Sequence, residues 1–315
     1  MNPIVNPTAW KTDNYKFVEK AFHYTYADRM NKLSPILGDR TINSIDMQLT
    51  GSGGYGELQP YDGNNLNIVE KHRGFNTILT PQEFSSSVVL GRKQILIDKT
   101  GECRRTGAVL GNAAAMTVYL HVLRTLGGAF DPEKIGGDGV SWANEAHPVA
   151  SKGSEGRTFI PDEEAGTFSN LLHNALSVSA ITDAQSKANR FITPDGFPFL
   201  CEMDTLLVSP ELEATAKKIC GEDARLDPES ASHGANPVYG LKYIVIGGGN
   251  DGFTGKQWAI CDRRLMKELF MIAYNSKPEV MEGELDNPLK QMFTAYTDFA
   301  VGWGDARQII FSNPN

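Results

Sequence analysis

Patterns that indicate disulfides, secretion or thiol chemistry are missing from this sequence. The 315-residue chain has four cysteines, which lie far apart and form no CxxC pair: Cys103, Cys201, Cys220 and Cys261. Its first ten residues, MNPIVNPTAW, lack the basic and apolar regions of a secretory leader. A disulfide framework is therefore not indicated, and we expect four free thiols in a reducing cytoplasm.

Motifs for metal binding and catalysis are also missing. The six histidines are dispersed, without the HxH or HxxxH spacing of a zinc site. The acidic triplet Asp162-Glu163-Glu164 lacks the ligand spacing of an EF-hand, and there is no GxSxG sequence. Nothing in the sequence requires catalysis, and we expect no enzyme activity, no cofactor and no metal.

The charge balance lacks the basic excess of a protein that reads nucleic-acid sequence. The net charge is -8 and the pI is about 5.3, so the chain as a whole does not attract phosphate. An acidic wall that faces packaged nucleic acid remains compatible with this charge. The sequence also has no internal repeat, heptad run or low-complexity tract.

The longest apolar segment, Glu102 to Leu126, predicts a long and mostly buried helix. Its apolar residues recur at helical spacing and leave little polar face. A membrane span is the alternative, but Asn112, His121 and Arg124 interrupt the apolar run. Three small residues four apart form a strip on which another backbone could lie close: Gly107, Gly111 and Ala115.

The first 50 residues predict an arm that carries one helix. Apolar and aromatic residues recur at three- and four-residue steps from Tyr15 to Leu33, and Pro35 is expected to end the helix. The segment has no neighbouring core of its own. Its aromatic stripe must therefore pack either on the rest of the chain or on another subunit, and the pattern leaves both options open.

The next thirty residues, from Thr50 to Thr80, are rich in glycine, asparagine and tyrosine. Two short strands, Glu57 to Tyr61 and Asn67 to Lys71, flank the turn-forming sequence Asp62-Gly63-Asn64-Asn65, which predicts a hairpin. A polar stretch of this length has little capacity for a core. We expect either a mobile loop or a hairpin that something outside the chain holds.

The remainder of the chain predicts a mixed α+β fold. Two further helices are expected, one from Ser169 to Asn189 and one from Glu211 to Ile219, with Ser209 as its cap and Pro210 at its start. Prolines 278 and 288 mark expected turns. The predicted strands are Leu206–Val208, Leu241–Ile246, Gln257–Cys261, Glu268–Tyr274, Phe293–Gly302 and Gln308–Phe311.

A glycine-rich turn, Gly247 to Gly252, matches the G-x-G-x-x-G pattern directly behind the apolar strand YIVI. A dinucleotide site would require an amphipathic helix next, because the pyrophosphate sits on that helix's N-terminus. The following sequence, FTGKQWAICD, alternates like a strand instead. A glycine hairpin explains these residues better, and an NAD-binding enzyme remains the alternative from a different functional class.

The order of these segments resembles that of the major capsid proteins of tailed bacteriophages, which share the Hong Kong 97 fold, and is most similar to the Mu-like major head subunits. The aromatic arm, the glycine- and tyrosine-rich hairpin and the long helix entered from SSSVVLGRKQILID resemble that family's N-arm, E-loop and spine helix. Four later segments are similar as well: GGDGVSWANEAHP, GTFSNLLHNALSVSAITDAQSKANRFITPDGFPF, TLLVSPELEATAKKI and MFTAYTDFAVGWGDARQIIFS.

The resemblance implies a subunit with four parts. The arm would comprise residues 1–49 and the E-loop hairpin residues 50–84. The peripheral domain would comprise 85–195 and 265–304, with the spine helix at about 102–126, and the axial domain would comprise 196–264 and 305–315. Candidate subunit contacts are Trp10, Phe17 and Phe22 in the arm and Tyr55, Tyr61 and Arg73 in the hairpin. The strip Gly107, Gly111 and Ala115 would pack against the sheet or the second helix.

The resemblance also implies the function and the partners. Hexamers and pentamers of this chain would form the icosahedral head shell of a virion, built in the host cytoplasm, around double-stranded DNA whose sequence is not read. Some family members carry a cleavable segment ahead of the arm, whereas Met1 here begins at the arm, so we expect a separate scaffolding protein. A portal and a decoration protein are the other expected partners, and no membrane is expected. We assign no residues to covalent links between subunits. An encapsulin-type cargo shell of the same fold is the closest alternative.

Overall fold

The computed structural model describes residues 7–51, 61, 74–98, 101–149, 166–193, 196–221, 225–226, 234–283, 285–287 and 289–314. In these ranges the helices are α1 (Pro7–Met30), α2 (Arg92–Asp98), α3 (Gly101–Gly127), α4 (Val178–Ala188), α5 (Glu213–Cys220) and α6 (Arg263–Leu269). The strands up to residue 208 are β1 (Gly38–Thr41), β2 (Met47–Thr50), β3 (Asn76–Leu79), β4 (Gln82–Gly91), β5 (His147–Pro148), β6 (Thr167–Phe168), β7 (Leu171–Leu172) and β8 (Thr205–Val208). The later strands are β9 (Lys242–Val245), β10 (Gly247–Gly248), β11 (Asp251–Gly252), β12 (Trp258–Cys261), β13 (Phe270–Gly283), β14 (Lys290–Trp303) and β15 (Ile309–Ser312).

The two longest helices lie against each other. α3 matches the predicted long helix to within one residue at each end. α1 begins earlier than its apolar stripe, with Pro7 at its first position, and ends at Met30 rather than at Pro35. The turns that follow it bury Leu33 and Ile36 completely, so the chain leaves the helix toward the core.

By length and composition, the segment Gly101–Phe130 could cross a membrane, and half of its most apolar stretch is buried inside the protein. Val118, Val122, Leu123 and Leu126 are all fully buried in the largest core cluster. α3 is thus packed as a core helix.

One sheet has the strand order β1-β13-β14-β4 and carries α1 and α3 on one face. The turn predicted at Pro278 is wrong, because β13 runs through it for 14 residues. The register with β14 shifts between Tyr274 and Ser276 and again between Ser276 and Glu279. This irregularity accommodates a proline, which has no N–H to donate to the ladder.

A second sheet has the order β7-β15-β12-β8-β9, and its three central strands are buried on both faces. β8, β12 and β15 are buried at every position. One face packs on α4 and α5 through residues such as Leu206, Ile260 and Ile310. The other face packs on the end of α3 and on Trp142 through Leu207 and Phe311. This sheet contains strands close to those predicted at 206–208, 257–261 and 308–311.

Two predicted element boundaries and one predicted capping interaction are wrong, and local hydrogen bonds account for each. The helix predicted from Ser169 begins at Val178, because the Ser177 hydroxyl accepts from the Ala180 N–H and caps it, while β7 pairs in parallel with β15. The strand predicted from Glu268 begins at Phe270, because Asp262 caps α6 ahead of it. Ser209 does not cap a helix: its hydroxyl donates to the Gly255 carbonyl at 2.6 Å, and a 3-10 turn precedes α5.

Candidate assembly surfaces

The small-residue strip on α3 is the contact face for α1. A Cβ atom on Gly111 would lie 2.5 Å from the Phe22 carbonyl oxygen, and one on Gly107 would collide with the Val18 carbonyl oxygen. Ala115 is buried in the same region of the helix. The predicted packing partner of this strip, the sheet or the second helix, is therefore corrected to α1.

The aromatic residues of α1 divide between the core and the surface. Phe22 is fully buried in a cluster with Leu110, Cys103 and Phe293 of the same chain. This placement contradicts its prediction as a subunit contact, because the intramolecular packing of α1 already uses it. Phe17 is partly buried beneath the Arg104 guanidinium, at 5.6 Å from its ring centroid. Trp10 lies in α1, and its side chain is outside the described part of the structure.

The predicted hairpin starts and ends at a well-defined base. β2 and β3 pair antiparallel, and beyond them the Gly51 N–H donates to the Phe75 carbonyl at 2.8 Å. Leu49 and Leu79 of this base pack on Met271 of β13. Segment 52–73 therefore leaves and rejoins the fold at one point. The strands predicted at 57–61 and 67–71, and the contact residues Tyr55 and Arg73, fall outside the described residues except for Tyr61, which is 64% exposed.

A buried ion pair lies directly below this base. Arg307 donates from Nε and Nη2 to the Asp305 carboxylate at 3.0 and 2.6 Å. Its Nη1 also donates to the Ile192 carbonyl at 2.9 Å, and its guanidinium lies 4.6 Å from the Phe199 ring centroid. A Cβ on Gly51 would meet Asp305 Oδ2 at 3.2 Å. The pair therefore joins the hairpin base to the segment that enters β15. The sequence analysis did not predict this ion pair. The two opposite charges of Asp305 and Arg307, just ahead of an apolar strand, could have indicated it.

His147 organises the loop between α3 and β7. Its Nδ1 lies 2.6 Å from Asp138 Oδ2, and its Nε2 lies 3.1 Å from Asn170 Oδ1. Asn170 Nδ2 in turn donates to the Trp142 carbonyl at 2.7 Å, and the Trp142 ring stacks on Trp303 of β14. His147 is fully buried, and these contacts hold the described part of the loop against both sheets.

Each sheet ends in a strand that has no partner beyond it among the described residues. β4 is the outer strand of the four-stranded sheet over ten residues, and its Val89 is 45% exposed. β9 is the outer strand of the five-stranded sheet and lines an open cleft of about 490 Å³ with Tyr239 and Arg263. Free backbone N–H and C=O groups along such edges can pair with a strand of another chain.

The glycine-rich turn is a hairpin. β10 and β11 pair antiparallel, Gly249 and Gly252 have positive φ, and strand β12 follows rather than a helix. The hairpin lies on α3: the Arg124 Nε donates to Asp251 at 3.2 Å, and a Cβ on Gly248 would touch Leu123. The helix N-terminus that a pyrophosphate requires is therefore not part of this turn, which favours the hairpin interpretation.

The thiols and carboxylates are not arranged for metal binding or nucleophilic chemistry in the part of the chain that the structure describes. No group of three or more His, Cys, Asp and Glu side chains converges there. All four cysteines are buried, and burial raises the pKa of Cys201 and of Cys220 to about 11. A thiol with such a pKa is mostly protonated near neutral pH, and so it is a poor nucleophile.

Solved structures match the chain, whereas no protein-family model and no curated protein matches it. The procapsid of bacteriophage JBD30 matches with a TM-score of 0.50 and 13% identity, over 94% of this chain and 73% of that one. A virus-like particle from Pyrococcus furiosus matches with a TM-score of 0.50 and 11% identity, over 93% of this chain and 98% of that one. At these identities the matches identify the fold. The chain has the Hong Kong 97 fold, an α+β capsid fold, and that prediction is confirmed.

Proposed function

We propose that this chain is the major capsid protein of a tailed bacteriophage, and that it assembles as hexamers and pentamers into the icosahedral head shell around phage DNA. The observation that carries the proposal is that the capsid fold extends over 94% of the chain, which leaves little room for a separate catalytic domain. The role is structural, and the subunit's location is the virion.

The surfaces of the subunit support a shell role. Segment 52–73 is joined to the fold through the two-stranded base β2–β3, and strands β4 and β9 keep open edges. Features of this kind are completed by neighbouring copies in an obligate assembly. Such interfaces bury on the order of 2,000 to 5,000 Å² each.

The proposed division of the subunit follows its two sheets. Residues 1–49 form the arm and 50–84 the E-loop hairpin, which projects from the base β2–β3. The peripheral domain includes the four-stranded sheet and α3, and the axial domain includes 196–264 and 305–315. The range 85–195 that the resemblance implies for the peripheral domain includes α4, but α4 packs in the core of the five-stranded sheet, and we therefore place it in the axial domain.

We further propose the partners that such a shell requires. These are a separate scaffolding protein during assembly, a portal, a decoration protein and double-stranded DNA whose sequence the subunit does not read. The particular similarity to Mu-like head subunits stays a prediction, as do Tyr55, Tyr61, Arg73, Trp10 and Phe17 as contacts between subunits.

A cargo-carrying shell of the encapsulin type is the second candidate. It is kept as a candidate because the match to the virus-like particle from Pyrococcus furiosus covers nearly all of both chains. The two candidates differ in content, because a phage head encloses DNA and a cargo shell encloses protein.

Electron microscopy of the purified protein and of its native source tests the proposal. We expect closed icosahedral particles, with DNA inside those from the native source. A protein that stays monomeric even with scaffolding protein supplied would overturn the shell role, and particles filled with protein would support the cargo shell. Nucleotide titration tests the NAD alternative: saturable micromolar binding that Gly249→Val abolishes would count against a capsid.

A further inference from the structure

One face of the subunit is basic although the chain carries a net charge of -8. The helices α1, α2 and α3, here called the helix layer, pack together through one hydrophobic cluster with strands β4, β13 and β14. Their residues number nine basic and five acidic, against 30 and 38 in the whole chain. Exposed cations of the layer include Lys16, Lys20, Arg92, Lys93, Arg104 and Arg105.

Four of these cations form one patch. Arg104 of α3 lies over the Phe17 ring of α1, at 5.6 Å from its centroid. Lys16 is next to Phe17 in sequence, and Lys20 lies one helical turn further along α1. Because α1 packs closely on α3, these charges and that of Arg105 share one surface across both helices. We call Lys16, Lys20, Arg104 and Arg105 the basic patch.

Most charges of the basic patch are not neutralised within the described part of the chain. Lys16, Lys20 and Arg104 have no ion-pair partner there, and Arg105 has a long, exposed contact of 3.4 Å with Glu102. The nearby Glu19 accepts a hydrogen bond from the Tyr15 hydroxyl at 3.4 Å, and Asp28 lies two turns beyond Lys20. The patch therefore keeps a positive field toward solvent.

Helix electrostatics alone would disfavour this placement. Lys16 and Lys20 are like charges at i and i+4, and their repulsion destabilises the helix. Arg104 and Arg105 lie near the N-terminus of α3, where the partial positive charge of the helix dipole favours acidic residues. An external anion that binds here would relieve both repulsions.

Two exposed acidic side chains, Glu83 and Glu279, lie on the opposite face of the same sheet. Tyr296 pairs with Glu279, and Asp298 pairs with Glu83, so these side chains share the face that points away from the helices. The Tyr296 hydroxyl donates to Glu83 at 3.1 Å, and Glu83 and Glu279 are exposed. This part of the opposite face is therefore less favourable for a polyanion than the basic patch.

We propose that the basic patch faces the interior of the shell and binds the phosphate backbone of the packaged duplex DNA without reading its sequence. This inference rests on the proposed shell function and adds the orientation of the subunit. Duplex DNA carries about one negative charge per 1.7 Å of its axis, which complements a patch of spaced, flexible cations. Phosphate contacts of this kind position a protein and carry no sequence information.

The test compares two variants that lose the same charge. One replaces the basic patch with glutamine at Lys16, Lys20, Arg104 and Arg105. The control replaces four exposed lysines outside the helix layer: Lys217, Lys218, Lys242 and Lys256. Fluorescence anisotropy with a labelled random-sequence duplex, measured over a range of salt concentrations, gives the affinity and its salt slope. Circular dichroism checks the fold, and electron microscopy reports separately whether each protein forms shells.

For the unaltered subunit we expect salt-sensitive duplex binding that is the same for unrelated sequences. The log of the affinity falls as the log of the salt concentration rises, and the patch variant should make this slope shallower by about 3 to 4, which is roughly 0.9 for each cation. The control variant should leave the slope nearly unchanged. The proposal would be overturned if both variants lost the same amount of salt slope. Binding of the unaltered subunit to an acidic protein but not to DNA would overturn it as well. Shells whose helix layer faces outward would overturn it too. If no shells form at all, the proposed shell function fails, while the duplex measurement still decides the DNA contact.

Discussion

Gly111 of α3 and Phe22 of α1 are in backbone contact, because a Cβ atom on Gly111 would lie 2.5 Å from the Phe22 carbonyl oxygen. This contact brings α1 onto α3 within one chain. It also settles the choice that the sequence left open for the arm's aromatic stripe, since Phe22 and Val18 pack in their own chain.

Gly111→Ala should destabilise the subunit, because the added methyl group forces α1 away from α3. Overpacking of this kind costs about 1–3 kcal/mol, which exceeds the gain of about 0.5–1 kcal/mol that alanine usually brings to a helix. Urea unfolding measures the difference. Gly234→Ala is the matched control, since that glycine has open space around it and no positive φ. An unfolding free energy for Gly111→Ala equal to that of the unaltered protein would contradict the close contact.

Removal of segment 52–73 should leave a folded subunit that assembles poorly. Gly51 and Gly74 are close enough that a two-residue Asn-Gly turn can join them, because the Gly51 N–H already bonds to the Phe75 carbonyl. Circular dichroism should show a native-like spectrum and a cooperative transition, and electron microscopy should show few closed shells. Loss of the folded monomer would mean that the segment belongs to the subunit's own core.

Arg307→Ala should be strongly destabilising, by about 3–5 kcal/mol, because it leaves the buried Asp305 carboxylate without its counter-charge. The Ile192 carbonyl would lose its donor as well. The double variant with Asp305→Ala should lose clearly less than the sum of the two single variants. Additive losses in denaturant unfolding would show that the two residues are not coupled.

Acidification should destabilise the protein partly through His121. Burial of this imidazole, with a smaller contribution from the nearby Arg124 charge, lowers its pKa below 6.5. His121 therefore binds a proton more readily in the unfolded chain than in the folded one. Its neutral form is compatible with the fold above pH 6.5, and the folded chain loses stability relative to the unfolded chain as the pH falls below that value. His121→Gln should reduce the drop in melting temperature between pH 7.5 and pH 5.5.

The matched comparison for His121 is His173, whose pKa is raised by its hydrogen bond to Glu145. His173 contributes stability below its unfolded pKa, so His173→Gln should leave the drop unchanged or enlarge it. A larger drop after His121→Gln would show that the sign assigned to His121 is wrong.

The elements that form from a local sequence pattern could be predicted. α3 is long, apolar and free of proline, and it forms within one residue of its predicted ends. β8 and β12 are short apolar runs that are buried on both faces, and they were also found. The order of segments was sufficient to indicate the capsid fold, although no single motif identifies the family by itself.

Elements that depend on distant partners were not predictable. β1 is polar, and it becomes a strand because Gly38–Thr41 pairs in parallel with Met271–Tyr274. β13 continues through Pro278 because a shift in its register with β14 tolerates that residue. The neutralisation of Arg307 by Asp305 beneath the hairpin base likewise requires loops that come together only in the folded chain.

The sequence by itself determined the long helix and the mixed α+β fold, because helical periodicity and the alternation of strand residues are local properties. Only the tertiary structure decided that α1 is the partner of the glycine strip on α3 and that Phe22 is a core residue. It also brought exposed cations of two helices, Lys16 and Lys20 of α1 and Arg104 and Arg105 of α3, onto one surface of an acidic chain. The physical reason is that packing and surface charge arise between residues far apart in sequence, which neither composition nor spacing can bring together.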